Sequence, residues 1–318
     1  MNKKCLIVCW YGKLPEYFKF WELSCSYNQD YDFLVFTDQD YKSSYRNVKI
    51  INKSMIEMKD LFANKLDLDI KIEKPYKFCD FRPAYGIIFD DYLKQYDFWG
   101  HCDIDQIFGN ISTFITDDVL SKYDKINQNG HFSLYRNNEK INNLFKKDSA
   151  KFSYKEVFSN KEHYAFDEFT GINRIVLKEK IKLCFKNNFA DIDVKHKRYT
   201  LANLPNHEKQ VFAWENGKIF KYYLENNEIK KEELMYLHFQ KKKANIISLD
   251  KAKTIIIGSN GIDVVDNITE KEIDKYNPYL GQMPERIEKI KYYFTKINEF
   301  IKCSKKQKIV WLKQKFKG

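Results

Sequence analysis

No two of the seven cysteines stand in a Cys-x-x-Cys spacing, their number is odd, and most have apolar neighbours. That pattern argues against a zinc site or a disulfide framework and for reduced thiols. Nor does any apolar run approach the roughly 18 residues of a membrane span. Met1-Asn2-Lys3-Lys4 leads into only five apolar residues, Cys5 to Cys9, before Trp10, Tyr11 and Gly12. Such a segment reads as a strand and is too short for the apolar core of a secretion signal, so a cytoplasmic location is expected. Both Gly-x-Gly-x-x-Gly and Gly-x-x-x-x-Gly-Lys-[Ser/Thr] are missing, which disfavours a dinucleotide oxidoreductase and a P-loop enzyme. No internal repeat marks a solenoid.

What is present is a chain of 318 residues, 43% apolar and 16% aromatic. It excludes disorder and can bury a sizeable core, and one α/β domain with a C-terminal appendage fits that length. The formal charge of +11 is uneven: from Glu285 to Gly318 eleven Lys/Arg face three Glu, leaving only +3 for residues 1–284. A nucleic-acid binder would carry its positive face on the folded body with a recognisable motif, so no nucleic-acid partner is expected.

Along the chain, residues 4–10 and 32–37 read as strands separated by a helix over Tyr17 to Asn28, a βαβ start. A third strand is expected at Val48 to Ile51, then helices near Met55 to Leu66 and Ala84 to Leu93, the latter begun near Pro83. Phe98 to Cys102 is an aromatic strand, Phe132 to Tyr135 another, and Lys140 to Phe145 a helix. Residues 150–240 mix short helices and strands. Pro278, Gly281 and Pro284 punctuate the chain before a lysine-rich helical tail. The expected architecture is a mixed, mostly parallel sheet flanked by helices. Its body is 1–245, followed by a connecting segment 246–283 and a basic amphipathic tail 284–318.

The aromatic strand runs straight into Asp103 and Asp105. With 24 Asp in the chain, roughly two Asp-x-Asp triplets would arise by chance; five are present. Asp30/Asp32 falls in a polar, turn-like stretch, Asp67/Asp69 in a charged helix-like one, and Asp191/Asp193 follows an amphipathic helix; all three read as solvated. Asp38, of Asp38/Asp40, ends a buried strand, where open α/β sheets place their ligands. Asp103 and Asp105 share that location. In an extended segment residues i and i+2 point the same way, so both can grip one hard cation through oxygen; the alternative is a plain strand-end carboxylate cluster.

The ordered set Lys77, Asp80, Arg82, Asp103, Asp105 and a late His238 resembles the GT-A glycosyltransferases. Within them it is most similar to bacterial capsule and lipopolysaccharide sugar transferases, and more distantly to initiation-specific mannosyltransferases. Many of these have Gly-Gly-x-Tyr before Asp-x-Asp, where this chain has Phe98-Trp99-Gly100-His101-Cys102, so the subfamily stays open. The resemblance covers residues 1–245 and implies a GT-A (Rossmann-like) fold with a nucleotide-binding half over about 1–110 and an acceptor half over about 111–245, a nucleotide-sugar donor, a UDP-sugar first among them, and Mn²⁺ or Mg²⁺. In it Asp105 would be a direct metal ligand, Asp103 a ligand or a partner of the ribose and metal-bound waters, and His238 the residue that completes the metal site. Lys241, in the run Lys241-Lys242-Lys243, would hold the leaving diphosphate; a merely solvated run is the other reading.

Donor binding falls on Tyr11 and Asp38 at the ends of the first two strands, and on Lys77, Asp80 and Arg82. A Lys and an Arg at a helix start reach phosphate and sugar hydroxyls, and Asp80 orients either cation; a structural Asp80–Arg82 pair is the alternative. Asp167 and Glu168, beside His163, aromatics and Gly171, are the catalytic candidates. They would deprotonate an acceptor hydroxyl if configuration inverts and bind sugar hydroxyls if it is retained; a helix N-terminal acid pair is the structural alternative.

In the tail, Ile287, Ile290, Tyr293, Phe294, Ile297, Phe300 and Ile301 recur at helical spacing among lysines. That stripe either docks on the body or anchors the protein peripherally on an anionic inner membrane surface, where a lipid-linked glycan acceptor of surface-polysaccharide synthesis would be met. Three competing readings remain: a transferase acting on protein, a metal-dependent phosphodiesterase or nuclease, which would need more clustered ligands, and a non-catalytic basic adaptor binding anionic membrane or nucleic acid through the tail.

Overall fold

The computed structural model describes residues 2–240, 242, 244–302 and 308. Its strands are β1 (Lys4–Trp10), β2 (Tyr31–Thr37), β3 (Val48–Asn52), β4 (Phe98–Cys102), β5 (Gln106–Phe108), β6 (Lys125–Asn129), β7 (Phe132–Arg136), β8 (Leu183–Cys184) and β9 (Ala190–Asp191). There follow β10 (Gln210–Glu215), β11 (Lys218–Glu225), β12 (Glu228–Leu234), β13 (Tyr236–His238), β14 (Thr254–Gly258) and β15 (Gly261–Val265).

The central sheet has seven strands in the order β3-β2-β1-β4-β7-β6-β8. Strands β3, β2, β1 and β4 pair in parallel, whereas β7 runs antiparallel to β4 and β6. Strands β1, β2 and β4 are buried on both faces, which explains why they read as largely apolar runs rather than alternating ones, while the edge strand β3 leaves Lys49 and Asn52 exposed. Leu6, Val8, Phe33 and Val35 point into one core with helix Phe18–Ser26; Cys5, Ile7, Leu34 and Phe36 point into the other, against helix Met55–Leu66 and the helical segment after Pro75. That segment was expected as one helix from Pro83. It is a chain of short turns instead, Pro75–Lys77, Phe78–Phe81, Arg82–Ala84, Tyr85–Ile88 and Asp90–Leu93, because Pro75 starts the run earlier and Pro83 cannot donate the hydrogen bond that would continue it.

Connection order creates the site. β1 leads outward to β2 and β3, and the chain then crosses back to β4 on the other side of β1. The C-terminal ends of β1 and β4 therefore flank a topological switch point, the crevice where open α/β sheets bind ligands. A three-stranded sheet, β5-β13-β9, lies just beyond β4. The segment 246–283, expected as a connector, contains the hairpin β14–β15, and β14 pairs with β10 in a five-stranded antiparallel sheet β12-β11-β10-β14-β15. Helix Glu270–Tyr276 packs on that sheet through Ile273 and Tyr276.

The final helix, Gln282–Lys302, buries none of its residues. It carries five Lys/Arg against three Glu, so most of the tail's basic excess belongs to 303–318, of which only Lys308 is described. No helix among the described residues is long and apolar enough to cross a membrane. The six described cysteines are free.

Candidate active site

After β4 the chain turns through Asp103-Ile104-Asp105 into β5. The Asp103 amide donates to the His131 carbonyl at 3.0 Å and to Gln106 Oε1 at 3.2 Å, and the Trp21 indole donates to the Asp103 carbonyl at 3.2 Å. Asp105 is pinned from the other side, its carbonyl accepting from the Phe239 amide at 2.8 Å. β13 then sets His238 opposite Gln106 on one neighbour and opposite Asp191 on the other. The segment bends at Ile104-Asp105 rather than running extended, and that bend with this register brings Asp103, Asp105 and His238 together, one ligating atom from each lying within 4.8 Å of the others.

His238 is the hub. Its Nε2 lies 3.4 Å from Asp105 Oδ1 and its Nδ1 lies 2.8 Å from Asp191 Oδ1. Burial disfavours its imidazolium, yet hydrogen bonds to Asp105 and Asp191 and the charge of Asp103 outweigh that and push its pKa up to about 10. Three carboxylates, those of Asp103, Asp105 and Asp191, thus surround one imidazole. Two carboxylates and an imidazole suit a hard or borderline divalent cation such as Mg²⁺ or Mn²⁺, so the residues present fit the metal that the Asp-x-Asp reading implies. The His131 ring stacks on His238 with centroids 4.2 Å apart, and its Nε2 lies 3.0 Å from the Tyr236 hydroxyl. Burial holds His131 well below the ordinary imidazole pKa.

Arg82 ties the acidic groups together. Its guanidinium pairs with Asp103, reaches Asp167 Oδ2 at 3.2 Å and donates to the Gly130 carbonyl at 2.5 Å. Glu168 accepts from the Gly130 amide at 2.7 Å. Asp167 is 4% exposed. Burial, reinforced by Glu168, Asp80 and Asp103, raises its pKa well above the usual carboxylate range, against the lowering pull of Arg82.

Two cavities meet at this cluster. One, of about 450 Å³, is lined by Val8, Trp10, Tyr11, Tyr17, Pro75 and Ile104 among others. The second, of about 670 Å³, is polar and holds His131, His163, Asp167, Glu168, Asp191 and His238. Tyr76, Cys79, Arg82, Asp103 and Asp105 line both.

Of the residues singled out from sequence, Arg82, Asp103, Asp105, Asp167, Glu168 and His238 line the polar cavity and Tyr11 lines the apolar one. Tyr11 stacks on Phe78 with centroids 5.0 Å apart. Asp38 lies outside both linings and instead accepts from the Gly12 amide at 3.1 Å; that bond holds the turn in which Gly12 adopts φ +95°, a backbone state natural to glycine.

Lys77 and Asp80 differ from their expected place beside the donor. They form a buried pair at 2.8 Å, and the Lys77 ammonium also donates to the Val157 and Glu162 carbonyls at 2.7 Å each. All three of its hydrogens are committed, leaving none for a phosphate. Asp80 accepts from the Tyr164 and Phe166 amides at 3.0 Å each, fixing the loop that carries Asp167 and Glu168. Lys241 falls outside the described residues. Its neighbour Lys242 lines the polar cavity and donates to the carbonyls of His196, Lys197 and Arg198. Burial lowers the Lys242 pKa to about 8, against the raising charges of Asp193 and Glu288.

Sequence reasoning missed Tyr76, His131, Asp191, Tyr292 and Lys296, which line the polar cavity as well. Only Asp191 carried a signal, its own Asp-x-Asp. Tyr292 and Lys296 come from the final helix, whose start is held by Glu285 on Arg198 Nε and by Glu288 on the Lys197 amide, at 2.8 Å each.

Residues 6–266 match the model of a family of unknown function, DUF6625, and the chain belongs to that family. No curated protein matches it. Among solved structures it is similar to the galactosyltransferase LgtC, determined with donor and acceptor sugar analogues, at 11% identity and a TM-score of 0.33, over 59% of this chain and 75% of that one. At that distance the chemistry has to be read from this chain's own residues.

Proposed function

We propose that this protein is a metal-dependent GT-A glycosyltransferase that moves a sugar from a nucleotide-sugar donor, a UDP-sugar first among them, to a glycan or lipid-linked glycan of a bacterial surface polysaccharide. The observation that carries the reading is the convergence of Asp103, Asp105 and His238 within 4.8 Å, at a sheet switch point where an aromatic cavity and a carboxylate-lined cavity join. A phosphodiesterase or nuclease accounts less well for the aromatic cavity, and an adaptor has no need of the carboxylate and histidine cluster.

In this reading the aromatic cavity takes the nucleoside, with Tyr11 and Trp10 as walls, and Asp103, Asp105 and His238 hold Mn²⁺ or Mg²⁺. Bound there, the cation would neutralise charge on the departing nucleoside diphosphate as a Lewis acid. Arg82 holds Asp103 and Asp167 in fixed relation across the junction. In the transfer the bond from the sugar C1 to the phosphate oxygen breaks with its electron pair leaving on the diphosphate, and a bond from the acceptor oxygen to C1 forms. If configuration inverts, the acceptor proton goes to a carboxylate, for which Asp167 and Glu168 on the wall of the polar cavity are the candidates; if it is retained, the same acids bind sugar hydroxyls. Lys242 lines the same cavity, but its ammonium is held by the His196, Lys197 and Arg198 carbonyls, so its part is to fix the cavity wall rather than to meet the diphosphate.

The final helix adds a location. Met283, Ile287, Ile290, Phe294, Ile297 and Ile301 are all exposed large apolar residues, with lysines interspersed, and together they suit an anionic membrane surface. Co-sedimentation with anionic liposomes should be lost in a chain ending at Gln282; equal binding by both forms would remove the membrane from the account. The transferase reading is tested by incubating UDP-sugars with the protein and Mn²⁺ and measuring free UDP. Release that disappears in Asp105→Ala is expected. Release unaffected by that change would contradict the reading.

A further inference from the structure

We infer that Asp191 is a positioning residue of the metal centre: its carboxylate holds the Nδ1 edge of His238 so that Nε2 is presented to a cation shared with Asp105 and Asp103. This rests on the metal-dependent reading above and gives a role to an Asp-x-Asp pair that its surroundings in sequence marked as merely solvated.

The argument begins with what an imidazole can offer. A ring that ligates a cation has given up the proton on its ligating nitrogen and keeps one N–H and one lone pair. An ionised carboxylate only accepts, so whichever nitrogen faces it must carry the hydrogen. Asp191 Oδ1 sits 2.8 Å from Nδ1, which directs the hydrogen to Nδ1 and the lone pair to Nε2. Nε2 is the nitrogen that lies 3.4 Å from Asp105. A ligating histidine fixed by a carboxylate on its far nitrogen is the arrangement that orients metal ligands and raises their basicity.

The backbone holds Asp191 in that place independently of the contact. β9 pairs in parallel with β13, with Asp191 opposite His238, and the Ile192 amide donates to the His238 carbonyl at 3.0 Å. The Asp191 amide donates to Asn203 Oδ1 at 2.9 Å, and its carbonyl accepts from Ala202 at 2.8 Å. The pairing is therefore built into the small sheet rather than left to two free side chains.

One competing arrangement uses the same residues. Ligating atoms of His131, Asp191 and His238 also lie within 4.8 Å of one another, so a cation could in principle sit on that side of the ring. It would then need the Nδ1 lone pair, turning an N–H toward Asp105, and the two arrangements exclude each other. The Nε2 side offers two carboxylates against one. His131 Nε2 already faces the Tyr236 hydroxyl, and its ring lies flat against His238, as a packing plate does.

Mn²⁺ binding to the full chain, followed by electron paramagnetic resonance of the free ion, separates these cases. Asp191→Ala should weaken Mn²⁺ by about 10- to 100-fold, the range for loss of such an outer partner. Asp191→Asn, whose amide oxygen still accepts from Nδ1–H, should lose less, and this near-isosteric change guards against a folding artefact. His131→Phe and Asp193→Ala should bind as wild type does. Wild-type affinity in Asp191→Ala, with His238→Ala impaired, would overturn the role of Asp191 while leaving the metal centre standing. A loss in His131→Phe equal to that in Asp191→Ala would overturn it in favour of the other side of the ring. If wild type binds no Mn²⁺, or His238→Ala binds it unchanged, the metal reading fails and this inference fails with it.

Discussion

Asp80 offers a sharp separation between a scaffold role and a substrate role, because its surroundings can be converted into a stability change. Its side chain is fully buried against Lys77, which is 1% exposed, and it accepts from the Tyr164 and Phe166 amides. Asp80→Ala would leave a buried ammonium without its counter-charge, for which breaking such a pair costs about 3–5 kcal/mol. Orphaned amides cost about 1–3 kcal/mol each. The terms do not add in full, since Lys77 keeps its two carbonyl partners and burial already lowers its pKa, so it can shed its proton. A net loss of about 4 kcal/mol is expected, equivalent to roughly 6 °C in Tm for a chain of this size. Denaturant unfolding of Asp80→Ala, Lys77→Met and the double variant is the assay. The double variant should be less destabilised than the sum of the singles, because removing both charges leaves no unpaired one. An Asp80→Ala protein within about 0.5 kcal/mol of wild type, as for a surface change, but defective in nucleotide binding would refute this reasoning and return Asp80 to the donor.

Lys125 is fully buried, and burial lowers its pKa from 10.5 to about 7, against the raising charges of Asp167 and Glu168. Between those values the unfolded chain keeps a proton that the fold has released, so this group's contribution to stability rises with pH from about 7 toward 10.5. Lys125→Met should flatten that rise, by about 2 kcal/mol between pH 7 and 9, in paired denaturation curves; parallel curves would contradict it. At Gly100, in the middle of β4, a Cβ would stand 2.1 Å from the Ser133 carbonyl oxygen. Gly100→Ala should therefore cost about 1–3 kcal/mol and loosen the strand that delivers Asp103, seen as a lower unfolding midpoint together with weaker Mn²⁺ binding. A variant with the wild-type midpoint would show that β4 and β7 can separate without cost.

How far the sequence could be read follows from the range of the interactions involved. The strands Lys4–Trp10 and Tyr31–Thr37 were legible because burial on both faces makes each an unbroken apolar run. Asp103 and Asp105 stood out because one short stretch contains both the strand and the carboxylates. Asp191 was misjudged for the opposite reason: what makes it interesting is its register against His238, a pairing that spans 47 residues and leaves no local trace. Lys77 and Asp80 were given a chemical role because a Lys and an Asp at a helix start look the same whether they face a phosphate or each other; the carbonyls of Val157 and Glu162, which settle their surroundings, lie about eighty residues away. The hairpin β14–β15 carried a local signal that was passed over, two apolar runs joined by Ser259-Asn260; what leaves no local trace is its place in the sheet, where β14 pairs with β10 some forty residues earlier. Tyr292 and Lys296 went unremarked in a helix for which docking on the body and membrane anchoring were both left open, and it is Glu285 and Glu288 on the loop at Lys197 and Arg198 that turn one of its faces toward the site.

The central claim is that Asp103, Asp105 and His238 hold a cation that receives a nucleotide. Calorimetric titration of UDP, GDP and CMP into the purified chain, with and without Mn²⁺, on wild type and Asp105→Ala, tests it most directly. The account predicts that one nucleotide binds only with Mn²⁺ and that Asp105→Ala abolishes that binding. Binding of no nucleotide under any condition, or binding indifferent to both the metal and Asp105, would contradict it.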